Sequence, residues 1–184
     1  MKNLSILALA VVIIVSLNGC SKNDPQPINE DELITTVTTT LKNGSNTISL
    51  VYKDLDGNGP YEPIVNVSGS LTAATSYTGT VTFLNETTNP VGNITEEILA
   101  EGVDHQLFFQ APSAIGTFAY DDQDTNAKPI GLQFTLTTGA ATTGNLMVTL
   151  KHQPNKSAAG VAAGDITNAG GATDAFVIYP LVVE

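Results

Sequence analysis

From residue 35 onward, apolar and polar side chains repeatedly alternate with a period of two, the spacing that puts one face of a β-strand into a core and the other into water. Thr35–Leu41 reads as a first strand. Ile48, Leu50 and Tyr52 share one face of a second, and Ile64–Val67 gives a third. Tyr77, Gly79, Val81 and Phe83 line a fourth. His105–Gln110 and Thr117–Tyr120 add two more. Leu132, Phe134 and Leu136 then alternate with Gln133, Thr135 and Thr137, and Leu146, Val148 and Leu150 with Met147, Thr149 and Lys151. Phe176–Val183 is the last strand. Turn signals separate these runs: Asn43-Gly44, Asp56-Gly57-Asn58-Gly59, Asn89-Pro90, Thr138-Gly139 and Thr143-Gly144. Only Ile94–Ala100 has the composition of a short helix. About nine strands with short connections predict an all-β fold, a single antiparallel β-sandwich of immunoglobulin-like type, with a closed barrel as the alternative. Abundant threonine and valine agree, because branching at Cβ suits a pleated surface.

Two stretches break the pattern. Pro154–Thr173 is long and rich in small residues, and it joins two strands; a loop of this length is expected to be functional or mobile. The other is the N-terminus. Lys2 precedes an apolar run from Leu4 to Leu17, short for a membrane span and suited to a signal peptide. The run ends in Leu17-Asn18-Gly19-Cys20, the pattern of lipoprotein processing, in which the cysteine sulfur takes the lipid as a thioether. The expected organisation is a signal peptide over residues 1–19, a lipidated Cys20 with a flexible acidic tether over 20–32, and a β-sandwich domain over 33–184. Ser21 rather than aspartate after the cysteine points to the outer membrane, on its periplasmic face or the cell surface. Cys20 is the sole cysteine, so it has no disulfide partner and no second thiolate with which to hold a metal.

Charge narrows the function classes. The chain carries seven lysines, no arginine and a net charge of −11. Nucleic-acid binding, which needs a basic surface, is excluded by this reading, as is any site built on a bidentate arginine clamp. An acidic surface leaves room for cations.

Two loops place oxygen side chains at alternate positions: Asp54, Asp56 and Asn58 in the first, Asp122, Asp124 and Asn126 in the second. The first matches the opening of a calcium loop, D-x-[DN]-x-[DN]-G, where alternate side chains turn inward on a hard cation. Asp and Asn are also ordinary turn formers. The two histidines, His105 and His152, lie at strand ends. If those strands pair, the imidazoles meet and, with Asp104 as third ligand, suit a transition metal such as zinc or copper. No nucleophile elbow, H-E-x-x-H helix or phosphate-cradling glycine loop is present, so the expectation is a protein that is not an enzyme.

Several blocks are similar to one family of small Bacteroidota lipoproteins. They are Asn29–Val37, Asp54–Pro60, Thr80–Glu86, Asp104-His105-Gln106 and, above all, His152–Asp174, with Pro154–Gly160 and Gly164–Gly171. That family commonly carries the label "type 1 periplasmic binding fold superfamily". The label implies solute binding, and the resemblance draws attention to His105, His152, Lys156 and Asp165, the last two as a ligand-binding loop. The expected function is that of an outer-envelope lipoprotein acting as a solute-, metal- or partner-binding accessory module, held to the membrane by lipid and working beside an outer-membrane transporter or on a small solute. The alternatives are a calcium-stabilised structural or adhesion module and a carbohydrate-active enzyme.

Overall fold

The structure, a computed structural model, describes residues 33–57 and 59–184. The expected signal peptide and tether, with Cys20, and Asn58 of the first acidic loop lie outside the described residues. Among the described residues nine strands form: β1 Thr36–Asn43, β2 Asn46–Lys53, β3 Ile64–Val67, β4 Ser76–Leu84, β5 His105–Gln110, β6 Gly116–Tyr120, β7 Gln133–Thr138, β8 Thr142–His152 and β9 Ala172–Val183. One helix, α1, spans Ile94–Ala100. The strands make two antiparallel sheets, six-stranded in the order β3-β2-β1-β4-β7-β6 and three-stranded in the order β5-β8-β9. The expected all-β sandwich is what the chain adopts.

The alternation sets which residues meet. In β1, Val37, Thr39 and Leu41 are buried; in β4, Tyr77, Gly79, Val81 and Phe83; in β9, Val177, Tyr179, Leu181 and Val183. They interdigitate with Leu107, Leu146, Val148 and Leu150 of the small sheet. The β1–β2 hairpin turns on Gly44, whose φ of 56° is costly for residues with a Cβ. In α1, Ile94 and Ile98 are one turn apart and both buried, and the Thr95 hydroxyl is tied to the backbone of Phe83 in β4.

Tyrosine hydroxyls bolt the two sheets together at both sides. Tyr179 of β9 donates to the Val37 carbonyl at 2.9 Å, and Tyr120 of β6 donates to the Leu107 carbonyl at 2.6 Å. Burial holds both phenols protonated, pushing Tyr120 up to about 12 against the opposing effect of the Gln106 hydrogen bond.

The long segment after β8 is an ordered cover on the outer face of the small sheet. Two short 3-10 turns, Val161–Ala163 and Ile166–Asn168, carry Val161 and Ala169 onto Phe108 of β5, which is fully buried beneath them. Gln106, on the same outer face, donates from Nε2 to the Val161 carbonyl at 2.7 Å.

The free edge of β9 has a feature of its own. The ladder hydrogen bonds direct the backbone of Val177 and Tyr179 toward β8, so Phe176, Ile178, Pro180 and Val182 direct theirs outward. Leu71 occupies the outward carbonyl of Val182 at 2.8 Å, and proline stands at position 180.

Candidate metal centre

His105 opens β5 and His152 closes β8, and the two are register partners. Their side chains share the faces of Leu107 and Leu150, so both imidazoles sit at one end of the sandwich interior. The rings stack with centroids 4.8 Å apart and planes inclined by 17°.

A third group arrives through an irregularity. Leu150 pairs with Ala175, but Lys151 pairs with Thr173, so Asp174 is the extra residue of a β-bulge in β9. A bulge re-aims side chains, and Asp174 is turned toward the histidines. Its Oδ2 lies 3.7 Å from His105 Nε2, and its Oδ1 lies 4.0 Å from His152 Nδ1. The three ligand atoms all fall within 4.8 Å of one another, and the group can hold a metal ion.

The orientation of His105 suits this role. Its Nδ1 is 3.1 Å from the Glu101 carbonyl, which can only accept, so Nδ1 carries a proton and the ring is oriented with Nε2 facing Asp174. Imidazole ligands are commonly oriented by such a second hydrogen bond. Metal–ligand bonds of about 2.0–2.2 Å would place tetrahedral ligand atoms about 3.4 Å apart, so from separations of up to 4.8 Å binding would require the group to contract by up to about 1.4 Å. His152, whose side chain is 27% exposed, is the member able to turn; His105, at 1%, is fixed.

Asp174 also lines a groove of about 420 Å³ with Ile34, Tyr52, Asp54, Leu55 and Phe176. The cluster borders this groove through Asp174. A second groove, about 470 Å³, lies between β5 and β6 over an aromatic floor of Phe109, Phe118 and Tyr120.

The other expected site residues are placed differently. Asp104 is not part of the cluster: it lies in the turn that precedes β5, its amide bonded to the Glu101 carbonyl, and its contribution here is a carbonyl that accepts from the Gln153 amide. Lys156, expected in a ligand-binding loop, is buried. Its ammonium donates to Asp124 Oδ2 at 2.9 Å and to the carbonyls of Gly102 and Pro129, so its three protons fasten the cover segment. Asp165 is exposed and caps the second 3-10 turn by accepting from the Thr167 amide; the Thr167 hydroxyl first, and then this amide, hold its carboxyl below the usual range.

In the second acidic loop the cation is that lysine ammonium. Asp124 Oδ1 accepts from the amides of Asn126 and Lys128, while Asp122 accepts from Gly131 and Gln133. Burial raises the Asp124 carboxyl, but the Lys156 ammonium and the two amides outweigh it, leaving the group below its ordinary value. Asn126 takes part through its backbone. In the first loop, Asp54 Oδ1 accepts from Asp56 and Gly57, and Asp56 Oδ2 accepts from Tyr61, as ordinary turn formers do.

Comparison with protein-family models, with curated proteins and with solved structures finds no match to this chain. The reading of its site therefore rests on its own geometry.

Sequence reasoning missed Asp174. The available signal was the pairing of β8 with β9 across the long connection, which brings residues just after 171 beside His152.

Proposed function

We propose that this chain is an outer-envelope lipoprotein whose β-sandwich head binds a divalent transition-metal cation at His105, His152 and Asp174 without catalysing a reaction. The observation that carries the reading is the pair of in-register imidazoles met by a carboxylate from a β-bulge. Two nitrogens and one oxygen form a donor set of borderline softness, suited to zinc or copper(II), whereas calcium takes six to eight oxygens. The Glu101 carbonyl orients His105 with Nε2 toward Asp174, and the groove that Asp174 lines gives a solute access to that side of the cluster, as a carrier handing metal to an outer-membrane transporter would need. The label borne by the resembling lipoprotein family supports the solute-binding part of this reading.

Competition against a chromogenic chelator tests it. The mature protein is expected to take up one equivalent of Zn²⁺ or Cu²⁺ at neutral pH, with affinity falling on acidification as protons compete for the imidazoles. His105→Ala and Asp174→Asn should each weaken binding by 100-fold or more. Equal uptake by the double variant, or none by the wild type, refutes the metal assignment; turnover of a glycan or peptide by purified protein refutes the non-enzymatic part.

A further inference from the structure

We infer that the end of the sandwich carrying Leu33 is a membrane-contact surface, seated on the bilayer that holds the lipid; this rests on the reading of Cys20 as the anchor. Twelve residues, or thirteen steps from Cα to Cα, separate Cys20 from Leu33. However arranged, a chain of that length reaches at most about 45 Å, close to the diameter of a domain of this size. The anchor therefore joins the domain at its Leu33 end, through a chain no longer than the domain is wide.

That end also carries apolar side chains that stand in solvent. Leu33, Leu55 and Phe176 line one groove and are 44%, 51% and 49% exposed. Tyr61, whose amide is bound to Asp56 beside Leu55, is 76% exposed, and Ile64, the register partner of Lys53, is 67% exposed. Aliphatic groups with a tyrosine are the side chains that settle at the boundary of headgroups and acyl chains. Grouped exposed apolar side chains of this kind mark contact sites. At the opposite end, the β1–β2 turn of Gly44 and Ser45 presents polar atoms. Asp54, Asp56 and Glu62 accompany the apolar rim, so the surface suits zwitterionic headgroups better than an anionic leaflet. Asp174 lines the same groove, so the metal centre opens toward the bilayer.

The experiment uses the full lipidated chain reconstituted in phosphatidylethanolamine–phosphatidylcholine vesicles. The Cys20 sulfur is consumed by lipid, so Leu55→Cys, Tyr61→Cys and Ser45→Cys each supply one free thiol for an environment-sensitive fluorophore. All three sites are exposed, which favours retention of the fold. Probes at 55 and 61 are expected to shift to the blue and to be quenched at least twofold by lipids bearing a shallow nitroxide, while the probe at 45 does not respond. Hydrogen exchange on the unlabelled protein should show protection around residues 55–64 on vesicle binding. Solvent-like emission at all three sites without protection overturns the inference while leaving the anchor intact. The anchor is read separately, by fractionating cells that express Cys20→Ser: a variant still in the membrane fraction overturns the lipoprotein reading and this inference with it.

Discussion

Replacing Lys156 by methionine keeps the aliphatic stem and removes only the cation. The ammonium is buried, and its partner Asp124 has a side chain only 2% exposed. Removing one member of a buried pair costs about 3–5 kcal/mol, because the remaining charge loses its compensation in a medium that solvates it poorly. The carbonyls of Gly102 and Pro129 lose a donor as well, at about 1 kcal/mol each. Against a typical total of about 5–15 kcal/mol, Lys156→Met removes a large share of the stability. The sign with pH follows from the depressed Asp124 carboxyl. Its contribution is fully present above the ordinary value of 3.8 and is lost as pH falls through the lower folded-state value. In the variant the ammonium no longer depresses that carboxyl. The gap between wild type and variant is therefore widest at neutral pH and narrows below about pH 4. Urea unfolding followed by far-ultraviolet circular dichroism and tyrosine fluorescence, in a chain without tryptophan, measures the gap. A loss under about 1 kcal/mol at pH 7, or the same loss at pH 7 and pH 3, refutes the reasoning.

Three further outcomes are expected. Gly79→Ala sets a Cβ 2.3 Å from the Phe134 ring and should lower stability by about 1–3 kcal/mol in the same urea titration, since the buried ring cannot move aside cheaply. Phe108→Ala should cost about 3–5 kcal/mol and make residues 154–171 the first point of proteolytic cleavage, because Val161 and Ala169 then rest on a void. Calcium at millimolar concentration should leave the melting temperature unchanged by scanning calorimetry, since the carboxylates of Asp122 and Asp124 already bind backbone amides and Lys156.

The strands were legible because burying one face of a sheet forces a period of two on the chain, and Val37, Leu50, Phe134 and Tyr179 obey it. The meeting of His105 with His152 was legible conditionally, as two strand ends that had to pair. Asp174 was not, because a bulge inserts one residue and reverses which side chains point inward, which local alternation cannot foresee. The burial of Lys156 was not legible for a related reason. A lysine in a small-residue loop looks solvated, and only the packing that brings Asp124 against it, across 32 residues of chain, turns it into a buried fastening. The cover over Phe108 was hidden too, because alanine and glycine carry almost no periodic signal.

Pro180 has a consequence for how these molecules treat one another. β9 is a twelve-residue border strand, and Phe176, Ile178 and Val182 make it sticky, so two copies could zip together side by side and recruit a third. An imino acid at the middle of that border supplies no proton for a neighbouring chain, and Leu71 already consumes the next oxygen along. Lateral polymerisation is thereby interrupted without sacrificing any interior contact.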